Sequence, residues 1–162
     1  MSCRIALALV LALAGTTALA QSPVEPPPIA DNSFLLEEAY NQEPGVIQHI
    51  SLFQHTGDGA WAYAFTEEWP VGGQRHQLSV TLPLLATGEE TGLGDAALNY
   101  RFQALGREGE RTWFAPRLSL LLGNGSPSRG LGAGGAGLQV NLPLSVDLGE
   151  RFVSHSNAGG TW

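Results

Sequence analysis

The sequence predicts an all-β protein: an antiparallel up-and-down β-barrel of the transmembrane kind, or a partial barrel. Three observations carry that expectation. First, long stretches alternate apolar and polar residues with period two. In 136–148, Ala136, Leu138, Val140, Leu142, Leu144, Val146 and Leu148 share one face, and Gly137, Gln139, Asn141, Pro143, Ser145 and Asp147 the other. Successive side chains of a strand point to opposite faces, so this pattern belongs to a strand. The run is longer than the five or six residues of about the average soluble strand. It suits the roughly ten-residue tilted strand that crosses a bilayer. Second, turn residues fall between the alternating runs. Third, beyond residue 20 no apolar segment reaches the length of a membrane-spanning helix, so a membrane form would have to be built of strands.

The chain opens with Arg4, then the uncharged run Ile5–Ala14, then small residues ending in Ala18-Leu19-Ala20. This is the pattern of a secretory signal peptide over residues 1–20, cut after Ala20. Residues 21–32 form a Pro-rich leader, in which Pro26-Pro27-Pro28 favours extended polyproline geometry. Residues 33–162 form the barrel domain. Its first stretch, 33–41, reads as a short helix capped by Ser33, with Leu36 one turn from Tyr40, or as a first strand.

Alternation begins at residue 46. Val46, Ile50 and Leu52 share a face in 46–55. Trp61, Tyr63 and Phe65 oppose Ala60, Ala62 and Ala64. Leu78, Val80, Leu82 and Leu84 oppose Gln77, Ser79, Thr81 and Pro83. Ala96, Leu98, Tyr100 and Phe102 oppose Asp95, Ala97, Asn99 and Arg101. Phe114, Leu118, Leu120 and Leu122 oppose Arg117 and Ser119, and a last segment, 151–162, alternates through Phe152, Ala158 and Trp162. Gly57-Asp58-Gly59 is a tight hairpin signal. Pro70–Gly73, Gly88–Gly92, Gly106–Gly109, the Gly/Ser-rich stretch 123–133 and Gly149-Glu150 are further connections. Short consecutive strands joined in this way form an antiparallel meander.

Composition narrows the function. Residues 1–20 hold one Arg and no acid, so the rest of the chain carries 7 basic against 15 acidic residues, a net −8. That balance disfavours a nucleic-acid partner, which needs clustered positive charge. The single cysteine, Cys3, lies in the signal, so the exported chain has no disulfide and no thiolate ligand. His49, His55, His76 and His155 lack zinc-like spacing, and no cofactor or metal is expected. Gly130-x-Gly132-x-x-Gly135 and Gly132-x-Gly134-x-x-Gly137 match a dinucleotide-binding spacing. A strand follows them where that motif needs a helix, so they read as a loop. In Ser154-His155-Ser156-Asn157 the serines and the His–Asn pair point to opposite faces, which breaks a local triad, and an enzyme is not expected.

Alternation does not say which face is wet. The length of the runs, the small and largely uncharged polar face and the absence of Lys favour a membrane barrel with its polar face inward. Gln77, Ser79, Thr81, Asp95, Asn99, Arg101, Arg117, Gln139, Asn141 and Asp147 then line the lumen. Asp95 is the expected partner of Arg101 and Arg117, since buried charges must be paired. Such a lining either selects what passes or seals a narrow barrel.

Several blocks also resemble one family. Asn32–His49, the Gly92-Leu93-Gly94-Asp95 strand start with its continuation to Arg101, Phe114–Ser119 and Gly137–Pro143 look like segments of proteobacterial outer-membrane transporters, labelled "MetA-pathway of phenol degradation" proteins. The resemblance covers about residues 31–162. It implies an outer-membrane barrel that passes small, often hydrophobic or aromatic compounds. Members of that family run longer, and six or seven strands fall short of an even-numbered barrel of eight or more, so the chain reads as a truncated barrel. The expected partners are outer-membrane lipid, a small-molecule solute and the barrel assembly machinery. The alternatives are a structural or interaction barrel without transport and a soluble periplasmic, lipocalin-like ligand-binding barrel.

Overall fold

The computed structural model describes residues 36–56 and 58–162. The stretches expected to form a signal peptide (1–20), a Pro-rich leader (21–32) and the Ser33 cap lie outside the described residues. The described chain is all-β, an antiparallel sheet curled into a half-barrel. Its strands are β1 (Gln48–His55), β2 (Trp61–Pro70), β3 (His76–Ala86), β4 (Thr91–Leu93), β5 (Ala97–Phe102), β6 (Thr112–Phe114), β7 (Arg117–Leu121), β8 (Gly137–Gly149) and β9 (Phe152–Thr161). One 3-10 turn, Pro127–Arg129, sits in the long β7–β8 connection.

These nine strands make seven ribbons. β6 and β7 lie along one side of β8 in a single register, with Phe114 opposite Leu144 and Arg117 opposite Asn141. They are halves of one ribbon, interrupted at Ala115-Pro116, where proline has no N–H to give the ladder. β4 and β5 both pair with β3, and the register slips by one residue between them. Each ribbon therefore pairs with its neighbours in sequence, from β1 to β9. Among the described residues β1 pairs with β2 alone and β9 with β8 alone, so the sheet has two open edges.

Directly opposed residues share a face. One row crosses all seven ribbons: Gln48, Glu68, Ser79, Asn99, Ser119, Gln139 and Thr161. Beside it runs Gln77, Arg101, Arg117, Asn141 and Gly159. The other face carries Trp69, Leu78, Tyr100, Leu118 and Val140 in one row and Val80, Leu98, Leu120 and Leu138 in the next. Burial follows the rows in an inverted sense. Gln77, Asn99 and Arg101 are 2%, 6% and 7% exposed, whereas Leu98, Leu118 and Leu138 are 45%, 49% and 49% exposed.

β1 departs from this sorting. Its Ile50 stands opposite Thr66, which pairs with Thr81, so Ile50 and Leu52 belong to the polar face. Both aliphatic side chains line the concave side beside the small Ala62 and Ala64. The β1–β2 turn closes as its glycines suggest, with Gly59 at φ 89° and the Ala60 amide donating to Asp58. The Thr56 hydroxyl and the Ala60 N–H hold the Asp58 carboxyl below its usual range.

The stretch before β1 is neither helix nor strand over residues 36–41. It is a strap laid across the polar face. Its local sequence suits a helical turn, but side chains of the sheet claim its backbone groups.

Candidate functional site: a strapped polar cavity

The polar face is concave. A cavity of about 800 Å³ on it is walled by every ribbon, from Gln48 and Glu68 through Thr81, Arg101 and Arg117 to Asn157. That is the size of a pocket for a small organic molecule. The strap Glu37–Gln42 occupies one side of it. The Ala39 amide donates to Ser145 Oγ at 3.1 Å, the Asn41 amide to Gln103 Oε1 at 2.9 Å and the Gln42 amide to Gln77 Oε1 at 2.7 Å. Its carbonyls are taken in the same way. Asn157 Nδ2 donates to Glu37 O, Gln103 Nε2 to Ala39 O and Gln74 Nε2 to Asn41 O. Buried backbone groups must find partners, and here inward-facing amide and hydroxyl side chains replace a ladder. Apolar contact seats the strap at one end, where Ala39 packs with Trp113 and Ala115, and the Tyr40 and Trp113 rings lie 5.0 Å apart. Burial of the phenol and its hydrogen bond to Glu43 push the Tyr40 pKa up to about 12.

Arg101 is the centre of the site. Its Nε donates to Asn41 Oδ1 at 2.8 Å, Nη1 to Glu38 O at 3.2 Å and Nη2 to Tyr40 O at 2.8 Å. Nη1 also meets Glu37 Oε1 at 3.1 Å, and Nη2 stands 3.9 Å from Glu68 Oε2. Arg117, its direct cross-strand neighbour, meets Glu37 Oε2 at 3.1 Å and donates from Nη2 to Gln139 Oε1 at 3.1 Å. The Glu37 carboxylate therefore bridges two guanidiniums, and Asn141 Nδ2 donates to it as well. Like charges opposite one another repel, and a shared carboxylate offsets that repulsion.

Of the residues expected to line a lumen, Gln77, Ser79, Thr81, Asn99, Arg101, Arg117, Gln139 and Asn141 lie on this concave face. Asn99 Nδ2 links Ser79 and Thr81, and Thr81 meets Thr66. Asp95 does not pair with Arg101 or Arg117, contrary to expectation. It stands where the register slips between β4 and β5, and its two oxygens accept the Gly125 and Ala133 amides, each at 2.7 Å. A Cβ on Gly132 would lie 2.6 Å from Asp95 Oδ1 and one on Gly125 2.9 Å, so these two glycines make room for that carboxylate. The dinucleotide-like spacing thus forms a loop clamped by Asp95 and followed by strand β8. Asp147 accepts from Gly149 N at 2.8 Å and serves the β8–β9 turn.

The acids that partner the arginines are Glu37 and Glu68. Glu68 continues the polar row of β3 across to β2, where alternation through Trp61, Tyr63 and Phe65 put it on the Ala62 face. Glu37 had no comparable signal, because its stretch carries no period. Ser145 Oγ lies 2.8 Å from His155 Nδ1, and Ser145 is fully buried beneath the strap, where it accepts from the Ala39 amide. His76 Nδ1 meets the Tyr100 hydroxyl on the outer face, and His49 lies 3.6 Å from Glu67.

No family model, curated protein or solved structure matches this chain.

Proposed function

We propose that the chain forms the wall of an outer-membrane β-barrel whose polar interior passes small molecules, with the Glu37–Gln42 strap as a constriction. The observation that carries this reading is the inversion of burial: amide, hydroxyl and guanidinium groups are covered on the concave face while rows of leucine stand uncovered on the convex one. In water such a continuous apolar surface is unfavourable, and in hydrocarbon it is the expected exterior. The alternating thirteen-residue β8 has the length to cross. The resemblance to outer-membrane transporters agrees with this reading and extends it to small, often hydrophobic or aromatic solutes.

A sealed barrel without transport is the second reading, favoured by the strap that fills part of the interior. Two measurements separate the possibilities. Expressed with its N-terminal segment, the protein should fractionate with outer membranes and need detergent for extraction. Recovery as a detergent-free periplasmic protein would overturn the membrane reading in favour of a soluble ligand-binding barrel. Reconstituted into vesicles, it should release trapped small solutes faster than protein-free vesicles. Membrane insertion with no solute release would leave the sealed barrel.

A further inference from the structure

We infer that Arg101 and Arg117 form a binding site for the carboxylate of a small monoanionic solute, and that Glu37 of the strap is its built-in competitor. This rests on the proposed passage through the concave face and names the class of solute. A carboxylate already shows what the site accepts. The two Glu37 oxygens are each 3.1 Å from a different guanidinium, and Asn141 donates to one of them. This is multidentate, charge-assisted recognition of a planar anion.

The competitor arrives on a segment outside the sheet, so it can leave without breaking a strand pairing. With Glu37 displaced, Arg117 retains Gln139 as its polar partner among the described residues, while Arg101 retains Asn41 Oδ1, the Glu38 and Tyr40 carbonyls and Glu68 at 3.9 Å, so Arg117 is the guanidinium with donors left to offer. Arg117 Nε is already buried with no acceptor among the described residues, a donor unspent even with Glu37 in place. The cavity that adjoins both guanidiniums gives a solute of a few carbons room to approach. Glu38, Glu43 and Glu68 also line it and repel a second negative charge, so the site favours one carboxylate over a dicarboxylate.

The test uses the full chain in detergent, with butyrate as probe and butyramide as its neutral counterpart. In Glu37→Gln the side chain keeps its shape and loses its charge, so the resident competitor is weakened. Calorimetric titration should show butyrate binding at least about tenfold tighter to Glu37→Gln than to the unaltered chain, since apparent affinity scales with the fraction of sites open. Butyramide should bind neither. Equal butyrate affinity in both forms, or butyramide binding as well as butyrate, would overturn the inference. Arg117→Gln placed on Glu37→Gln should abolish butyrate binding. If that double variant does not fold, Arg117→Lys, which keeps the charge and loses the fork, should weaken binding, and unchanged binding there would count against the site. These readings need no bilayer. Failure of carboxylate binding in a protein that fractionates with outer membranes sinks this inference alone, whereas a soluble periplasmic protein sinks the membrane reading.

Discussion

At the scale of single residues, two positions show how tightly the strap's seat is built. Gly106 has φ 108°, and a Cβ there would stand 2.4 Å from the Trp113 ring. Strain and overpacking act together, so Gly106→Ala should destabilise the chain by about 2–4 kcal/mol, read as a lower urea midpoint in detergent. An unchanged midpoint would mean that Trp113 can move aside and does not fix the seat. Tyr40 makes a prediction on pH. Its folded pKa of about 12 lies above the ordinary value near 10, so the folded chain holds the phenol proton more tightly than the unfolded one. The stabilisation is complete below about pH 10 and is lost as pH rises through about 12. The difference in ultraviolet absorbance between the unaltered chain and Tyr40→Phe should titrate near the higher value. A difference titrating near 10 would show that the strap does not shield the ring.

At the scale of elements, the strap is held by side chains doing the work of a neighbouring strand. Gln103 serves it twice, accepting from the Asn41 amide and donating to the Ala39 carbonyl. Gln103→Leu leaves both buried backbone groups without partners, at about 2 kcal/mol or more. Hydrogen exchange at the Asn41 amide should quicken at least about tenfold, while amides of the β3–β5 ladder keep their protection. Uniform acceleration across the sheet would instead mean that strap and sheet open as one unit. The same logic explains why residues 36–41 form no helix. A helix of so few residues would leave most of its own end groups without partners, whereas the extended strap offers them to Arg101, Gln103 and Ser145.

At the scale of the molecule, the inverted distribution of polarity sets the expected solvent. Leu118 stands in the middle of an outward apolar row, between Tyr100 and Val140. Facing hydrocarbon, Leu118→Arg should cost about 2–4 kcal/mol of folding stability in lipid vesicles. Facing water, the same change would be nearly neutral, and that result would argue for a soluble sheet. Among the described residues β1 and β9 are sheet edges, and hydrocarbon does not tolerate open ladder groups, so a bilayer form needs further pairing at both.

Sequence alone determined the strand class and the antiparallel meander, because a period of two is a local property written into neighbouring residues; it did not show that Ile50 and Leu52 of β1 share the polar face or that Asp95 turns to the loop amides. β8 could be read whole from its alternation, as could the polar set from Gln77 to Asn141. The partners of the arginines were out of reach. Asp95 and Glu37 both carry a carboxylate, and only the curled sheet brings a strap from sixty-odd residues away over Arg101 while turning Asp95 to the loop amides. Curvature, the strap's path and the choice of carboxylate depend on which distant backbone groups and charges need satisfying once the sheet has closed around them. That is a condition on the whole fold, and no window of sequence contains it.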